Sequence, residues 1–159
     1  MEVSKVETIN IELIKSKEDI ITGMEEIKQF LTNPETEQAE LPLKHSFAPG
    51  VYSREMEIPA GTLLIGKIHK HRHHNFLMKG EIIVITESEG MKLLQAPLMI
   101  VSDSGTQRIG YAITDTIWTT IHENSDNTED LDIIEKRTVV EDKNQYLEYK
   151  DKLIKNITI

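Results

Sequence analysis

Four of the six histidines in this sequence lie in one short stretch, GKIHKHRHHNFLMKGEI, at positions 69, 71, 73 and 74. Imidazole nitrogens bind divalent ions such as zinc, iron, manganese and nickel, and three of them leave coordination positions open for water or substrate. The chain has no cysteine, so any metal ion must be held by nitrogen and oxygen atoms. The stretch therefore predicts either a metal site or a polar cavity that holds no metal.

Basic residues interleave with these histidines, although the chain as a whole is acidic. Lys67, Lys70, Arg72 and Lys79 stand in this stretch, whereas the formal net charge is -9. A local positive region on an acidic chain suits a small anion, while nucleic acid requires a broad basic surface. We therefore predict a small-molecule anion as the partner, with Lys67 among its contacts, and no nucleic acid.

Length and composition restrict the class of protein. The 159 residues, 38% of them hydrophobic and 28% charged, suffice for one soluble domain with a substantial core. No apolar run approaches the roughly 20 residues that cross a bilayer. The first residues also lack the pattern of a secretory signal. We therefore predict a cytoplasmic protein without a membrane partner.

Helical spacing of apolar residues occurs toward both ends of the chain. One amphipathic helix is predicted over residues 16–32, with Ser16 as its N-cap and an apolar face of Ile20, Met24, Ile27 and Leu31. A second helical segment is predicted within residues 144–155, with Tyr146, Tyr149 and Leu153 on one side. Residues 123–132 are strongly acidic, and we predict that they form a solvent-exposed loop.

Residues 50–122 show a different pattern, with short segments rich in Val, Ile, Thr and Tyr between tight turns. About six to eight short antiparallel strands can bury their apolar faces only by closing on one another. We predict a mainly β protein whose core is an antiparallel sandwich or barrel. An N-terminal helical extension is predicted at 1–42, and a C-terminal helical segment at 136–159.

Alternate side chains of an extended strand share one face of the sheet. Lys67, His69 and His71 are therefore predicted to lie on the same face. If the chain stays extended, His73 and Asn75 continue that face, whereas His74 points the other way.

Residues 59–86, PAGTLLIGKIHKHRHHNFLMKGEIIVIT, resemble the first motif of the cupin superfamily, whose members have the RmlC-like jelly-roll fold. His69 and His71 match the His-x-His pair of that motif, and Gly80 matches its closing glycine. His73 stands where the family has a glutamate. The resemblance implies a divalent metal held by these histidines. The residue that completes the site is left open among His73, His74, Asn75 and His122.

Residues 96–112, APLMIVSDSGTQRIGYA, resemble the second cupin motif, with Arg108 where the family's last histidine ligand stands. Arginine stays protonated and cannot bind a metal cation. Arg108 is therefore predicted either to bind a carboxylate or phosphate or to pair with an acidic residue of the barrel. His122 alternates onto one face with Trp118, which makes His122 a candidate replacement ligand and Trp118 a candidate cavity wall. Arg54 is expected in a solvent-exposed pair with its neighbour in sequence.

Over residues 43–135 the chain also resembles small cupin-like proteins encoded by bacteriophages, through segments such as HSFAPGVYSREMEIPAG and DTIWTTIH. Together with the basic residues of the histidine stretch, the cupin resemblance implies a protein with one antiparallel jelly-roll barrel at residues 43–135 that holds Zn, Fe, Mn or Ni and binds a small anionic ligand. If it is an enzyme, it would be a metal-dependent isomerase, dioxygenase or hydrolase. The alternatives are a metal-free binder of a nucleotide or sugar phosphate, and a phage structural or assembly protein. A homodimer in the host cytoplasm is expected.

Overall fold

The structure is a computed structural model that describes residues 2–5, 17–36 and 40–157. Its helices are α1 Lys17–Thr32, α2 Leu131–Thr138 and α3 Lys143–Ile157. Its strands are β1 Glu2–Lys5, β2 Leu43–Ala48, β3 Gly50–Ile58, β4 Thr62–Ile65, β5 Ile68–His69, β6 His73–Lys79, β7 Glu81–Thr86, β8 Gly90–Gln95, β9 Leu98–Ser102, β10 Ile109–Ala112, β11 Thr116–Asn124 and β12 Val139–Val140. None of the helices in these ranges is long and apolar enough to cross a membrane.

Two five-stranded antiparallel sheets form the body of the fold. The first sheet has the order β1-β4-β10-β7-β8, and the second has the order β2-β3-β11-β6-β9. Strands β12 and β5 form a separate pair. Without the outer strands β1 and β2, the order of the remaining strands is that of an eight-stranded jelly roll built from two Greek keys. The predicted mainly β jelly roll, with helices toward both ends of the chain, is confirmed.

The apolar core of the jelly roll lies between the two sheets, because alternate side chains of each strand point inward. Strand β11 alternates in this way, with Trp118 buried and both of its neighbours in sequence partly exposed. Each large apolar side chain that folding buries contributes about 1.5–3 kcal/mol. The two sheets together supply the core residues Met56, Ile58, Leu64, Leu77, Ile82, Val84, Ala112 and Trp118.

A second apolar layer lies on the outer face of the first sheet, where α1 covers it. Met24 and Leu31 of the helix are buried there, and Ile27 packs against the same cluster. The sheet contributes Leu63, Ile65, Ile85 and Ile109. The predicted apolar face of the first helix is therefore confirmed for these helix residues. The predicted cap Ser16 and the side chain of Ile20 lie outside the part of the chain that the structure describes.

Two segments differ from their predictions. Residues 2–5, expected within a helical extension, form a strand that pairs with β4. A strand of four residues is too short to show a period in the sequence, and the open edge of β4 offers it unpaired backbone groups. The acidic segment 123–132 is not one loop, because β11 runs through Asn124 and α2 begins at Leu131. Asp130 caps that helix by accepting hydrogen bonds from two backbone N–H groups.

The turn between β6 and β7 requires a glycine at position 80. Gly80 has a φ of +88°, and a Cβ there would overlap the carbonyl oxygen of Asp115 and lie 2.8 Å from Thr116 Oγ1. Gly61 has a similar φ of +77°, but apart from its chain neighbours no atom of the described residues would lie within 4 Å of such a Cβ. Comparing alanine substitutions at the two positions therefore distinguishes the cost of backbone strain from the cost of steric overlap.

We expect Gly61→Ala to lower the free energy of unfolding by about 1–2 kcal/mol, the cost of left-handed backbone for an L-residue. Gly80→Ala should cost at least about 1 kcal/mol more, because the turn must also move away from Asp115. Urea denaturation of both variants measures the difference. Equal losses would show that the close approach at Gly80 does not constrain the turn.

Candidate ligand-binding site

The inward face of the second sheet is graded in polarity along its strands. The register of β3, β11 and β6 and the side-chain contacts group its inward residues into three successive sets. We call them the histidine row (Tyr52, His122 and His73), the polar row (Arg54, Thr120 and Asn75) and the apolar row (Met56, Trp118 and Leu77). Polar groups thus gather toward one end of the space between the sheets, and apolar groups toward the other.

Three imidazoles pack against one another at the polar end. The ring centroids of His69 and His73 are 4.0 Å apart. The ring of His122 lies 5.3 Å from that of His69 and 4.9 Å from that of His73. We call these residues the imidazole group. They come from β5, β6 and β11, so only the closed fold brings them together.

His69 is positioned by backbone bonds on both sides of the short strand β5. His69 pairs with Val139 of β12, and its carbonyl oxygen accepts a hydrogen bond from Gly105 N at 2.8 Å. The next residue, Lys70, donates from its backbone N to Thr138 O at 2.8 Å. The segment that closes over the end of the jelly roll therefore fixes the position of His69.

His71, predicted as a metal ligand, does not join the imidazole group. Strand β5 ends at His69, and the chain turns before β6 begins at His73, so the alternation of side chains is interrupted. His71 is exposed, and its ring lies edge-on to Tyr149 of α3 at 6.1 Å. His74 is exposed on the outer face of β6, as alternation predicts.

The surroundings of the imidazole group keep its rings neutral. Burial is the largest cause, and it lowers the pKa of His69 to about 2 and that of His122 to about 3. Repulsion from neighbouring imidazoles and from Arg54 lowers the pKa of both further. Burial, followed by the charge of Arg108, also lowers the pKa of His73. All three rings are therefore uncharged at neutral pH.

The hydrogen bond of His73 defines which of its ring nitrogens carries the proton. His73 Nδ1 lies 3.0 Å from the carbonyl oxygen of His71, which can only accept. Nδ1 is therefore the donor, and Nε2 of the neutral ring carries a lone pair. Among the described residues, neither His73 Nε2 nor His69 Nε2 has a hydrogen-bond partner, although both atoms are buried. An imidazole whose other nitrogen donates to a backbone carbonyl is in the state that binds metal ions.

The donor chemistry of the imidazole group fits a divalent metal, but a coordination site is not preformed. Within the described part of the chain, no group of three or more His, Cys, Asp or Glu side chains is arranged to hold a metal ion. The rings pack at interplanar angles of 15–32°. Binding a common ion would therefore require the imidazoles to rotate.

A buried hydrogen-bond network connects Arg108 to the polar and apolar rows. Arg108 Nη1 donates to Ser102 Oγ, and Asn75 Nδ2 donates to the same oxygen at 2.5 Å. Asn75 Oδ1 accepts from Trp118 Nε1 at 3.2 Å. Asn75 lines the cavity and uses its oxygen and one of its two amide N–H groups in this network, so its predicted role in ligand binding stays a prediction. Ser102, which was not identified from the sequence, is the partner of His73 in the pairing of β9 with β6.

Two arginines reach the same space. The guanidinium carbon of Arg108 lies 5.9 Å from the centre of the Trp118 ring. Arg54, expected at the surface, points inward because it alternates with the buried residues Tyr52 and Met56 on β3. Among the described residues, neither arginine has a carboxylate within 4.0 Å. In the sequence, the alternation of Arg54 with Tyr52 and Met56 indicated that these three side chains share one face of the strand.

The space between the two sheets, beside the polar and apolar rows, contains a cavity of about 110 Å³. Arg54, Arg108 and Thr120 line it at the polar end, and Trp118 forms part of its wall, as the sequence predicts. Lys67 also lines the cavity, but it bonds to Glu135 and lies 2.8 Å from a carboxylate oxygen of Glu141. Lys67, predicted to contact an anion, is therefore already neutralised by two acidic side chains.

No family model matches the chain, and no curated protein matches it. Several solved structures resemble it. An RmlC-like cupin family protein from Methanocaldococcus jannaschii is 11% identical, with a TM-score of 0.46 over 54% of this chain and 82% of that chain. KdgF from Halomonas sp. is 15% identical, with a TM-score of 0.46 over 57% and 81%. Acetylacetone dioxygenase from Acinetobacter johnsonii is 20% identical, with a TM-score of 0.42 over 55% and 65%.

The strand order of the chain by itself defines an eight-stranded jelly roll. At such low identity and TM-scores, the solved structures carry no argument about family or activity, so membership of the cupin superfamily stays a prediction. The resemblance to bacteriophage proteins stays a prediction.

The lowered pKa values predict an acid-labile fold in the absence of metal. Below the ordinary histidine pKa of 6.5, His69 and His122 bind protons in the unfolded chain but stay neutral where folding buries them. The free energy of unfolding is therefore unaffected by these two residues above pH 6.5 and decreases as the pH falls below it. As the pH falls from 6 to 5, proton uptake by these two residues in the unfolded chain should lower the free energy of unfolding by about 2 kcal/mol.

Urea denaturation at several pH values measures this slope. His69→Phe should remove about half of the loss attributed to these two histidines, because phenylalanine cannot take up a proton. His74→Gln is the matched control at an exposed position and should leave the slope unchanged. The interpretation fails if the wild type and His69→Phe lose stability in parallel.

Proposed function

We propose that the chain binds a small anion inside its jelly roll and holds a divalent metal ion beside it through His69, His73 and His122. One observation carries the proposal. Among the described residues, the buried Nε2 atoms of His69 and His73 have no hydrogen-bond partner, and they lie near a cavity lined by two arginines that have no carboxylate within 4.0 Å. Buried polar atoms normally have hydrogen-bond partners, so such a concentration of unused groups favours a ligand.

Neutral imidazoles are suitable ligands for Zn, Fe, Mn and Ni, and three of them leave positions open for a substrate. A bound ion would supply Lewis-acid or oxygen-activating chemistry, as metal-dependent isomerases, dioxygenases and hydrolases use it. The carbonyl oxygen of His71 would keep His73 in the correct tautomer. The proposal concerns binding and does not assign one of these reactions.

Charge supports the presence of an anion beside the ion. Three neutral imidazoles do not offset the charge of a divalent cation, and Arg54 and Arg108 add two positive charges nearby. The acid Glu135 lines the same cavity, but it is bonded to Lys67. A bound anion would offset this excess of positive charge. We therefore expect metal and anion to strengthen each other's binding, since such coupling is reciprocal.

A metal-free anion binder is the second candidate. It is favoured by the packed rings of the imidazole group, which do not form a ready coordination site among the described residues. In that case the arginines alone would hold the anion, and the neutral imidazoles would form a polar wall. A homodimer and a phage assembly role stay predictions.

Metal content tests the first proposal. Protein purified without a histidine tag should be incubated separately with Zn, Fe, Mn and Ni, dialysed, and assayed by elemental analysis. We expect near-stoichiometric metal for at least one ion in the wild type, and a loss of at least about tenfold in His69→Ala/His73→Ala. Circular dichroism checks that the variant is folded.

His71→Ala is the matched control, because His71 lies in the same stretch but outside the imidazole group. His71→Ala should keep its metal. Acid should release metal from the wild type and from His71→Ala, because protons compete with the metal ion for the imidazole nitrogens. Absence of metal from the wild type with all four ions would support the metal-free candidate. Equal loss in His71→Ala and the double variant would show that the proposed ligand set is wrong.

A further inference from the structure

We propose that the anion is a short-chain aliphatic monocarboxylate, with its carboxylate between Arg54 and Arg108 and its apolar tail at the opposite end of the cavity. This inference rests on the proposed function for the presence of an anion in the cavity. It does not require the metal.

The size of the cavity limits the ligand. A water molecule takes up about 30 Å³ of liquid, and benzene fills an apolar cavity of about 150 Å³. The cavity of about 110 Å³ therefore accommodates roughly four to six non-hydrogen atoms. A nucleotide or sugar phosphate is several times larger. An adjoining groove is larger, about 390 Å³, but Arg108 does not line it, so a ligand that uses both arginines must enter the inner cavity.

The polar end of the cavity suits one carboxylate. Arg54 and Arg108 carry charge there, and Arg108 is held in place by Ser102. The hydroxyl of Thr120 is buried, lines the same cavity, and has no hydrogen-bond partner among the described residues. Two guanidinium groups and a hydroxyl can saturate the oxygens of a single carboxylate with charge-assisted hydrogen bonds.

The other end of the cavity is apolar on both sides. Met56 and Ile58 line it from the second sheet, and Leu64, Ile82 and Val84 line it from the first. A second carboxylate or a hydroxyl group placed there would lose its hydration without finding a partner, which is costly. Inorganic phosphate would leave this end empty. The contrast between the two ends therefore favours a monocarboxylate with an aliphatic tail.

Gly110 provides the room for that tail. It lines the cavity, and a Cβ at this position would lie 3.0 Å from Ile82 Cδ1 and 3.6 Å from Leu64. Its backbone is ordinary strand that other residues adopt, in contrast to Gly80. The absence of a side chain at Gly110 therefore keeps space open rather than relieving strain.

Trp118 gives a direct readout, because it is the only tryptophan of the chain and forms the cavity wall. Its fluorescence should be followed while acetate, propionate, butyrate, succinate, inorganic phosphate, glucose 6-phosphate and AMP are titrated into metal-free and metal-loaded protein. We expect affinity to rise about fourfold for each methylene from acetate to butyrate. Succinate and the phosphates should bind more weakly than butyrate.

Variants test the two ends separately. Arg108→Met and Arg54→Met should each weaken butyrate binding at least about tenfold, whereas Arg72→Met, an exposed arginine paired with Asp103, should not change it. Arg108→Gln serves if Arg108→Met does not fold, because it also removes the charge and should weaken butyrate binding to the same extent. Gly110→Val should abolish the preference for butyrate over acetate while acetate still binds.

The outcomes distinguish this inference from the proposed function. Tighter binding of succinate, AMP or glucose 6-phosphate than of butyrate would overturn the monocarboxylate but leave an anion site. Butyrate affinity unchanged in both Arg108→Met and Arg54→Met would overturn the inference as well. Metal uptake without a response of Trp118 to any anion would overturn it while leaving the metal half of the proposed function. Butyrate binding by a protein that takes up no metal would support the inference and contradict that half.

Discussion

The antiparallel register of β11 between β3 and β6 is the constraint on which the rest of the site depends. It sets His122 beside Tyr52, Thr120 between Arg54 and Asn75, and Trp118 beside Met56. A shift of one residue would turn the inward side chains of β11 toward solvent. The same register that closes the apolar core therefore also grades the cavity from polar to apolar.

This grading has an energetic consequence at the polar end. Burying imidazoles beside guanidinium groups keeps the rings neutral, since each protonation would add a charge where solvent is scarce. Arg108 is stabilised by Ser102 and by the face of Trp118 rather than by a carboxylate. An anion would satisfy charges that the described residues leave unpaired, and its binding should stabilise the fold by mass action.

The C-terminal part of the chain closes the mouth of the cavity and belongs to the site. Strand β12 pairs with β5, Glu135 of α2 lines the cavity, and Lys67 bonds to Glu135 and Glu141. Ile134 anchors α2 by its burial. The predicted boundary at residue 135 therefore falls inside a helix that contributes to the cavity wall. In the same way, β1 extends a jelly-roll sheet from within the predicted helical extension.

The sequence by itself determined the features that have a local period: the apolar face of α1, the strands of the jelly roll, and the alternation of Trp118 and His122 on β11. It also drew attention to the histidine stretch, but it could not tell His71 from His73 as a member of the imidazole group. That choice depends on where β5 ends, which is decided by its pairing with β12, some seventy residues further along the chain. The inward direction of Arg54 likewise depends on which face of β3 meets the other sheet. Alternation is a property of neighbouring residues, whereas the direction and length of a strand are decided by distant partners, so only the tertiary structure could settle them.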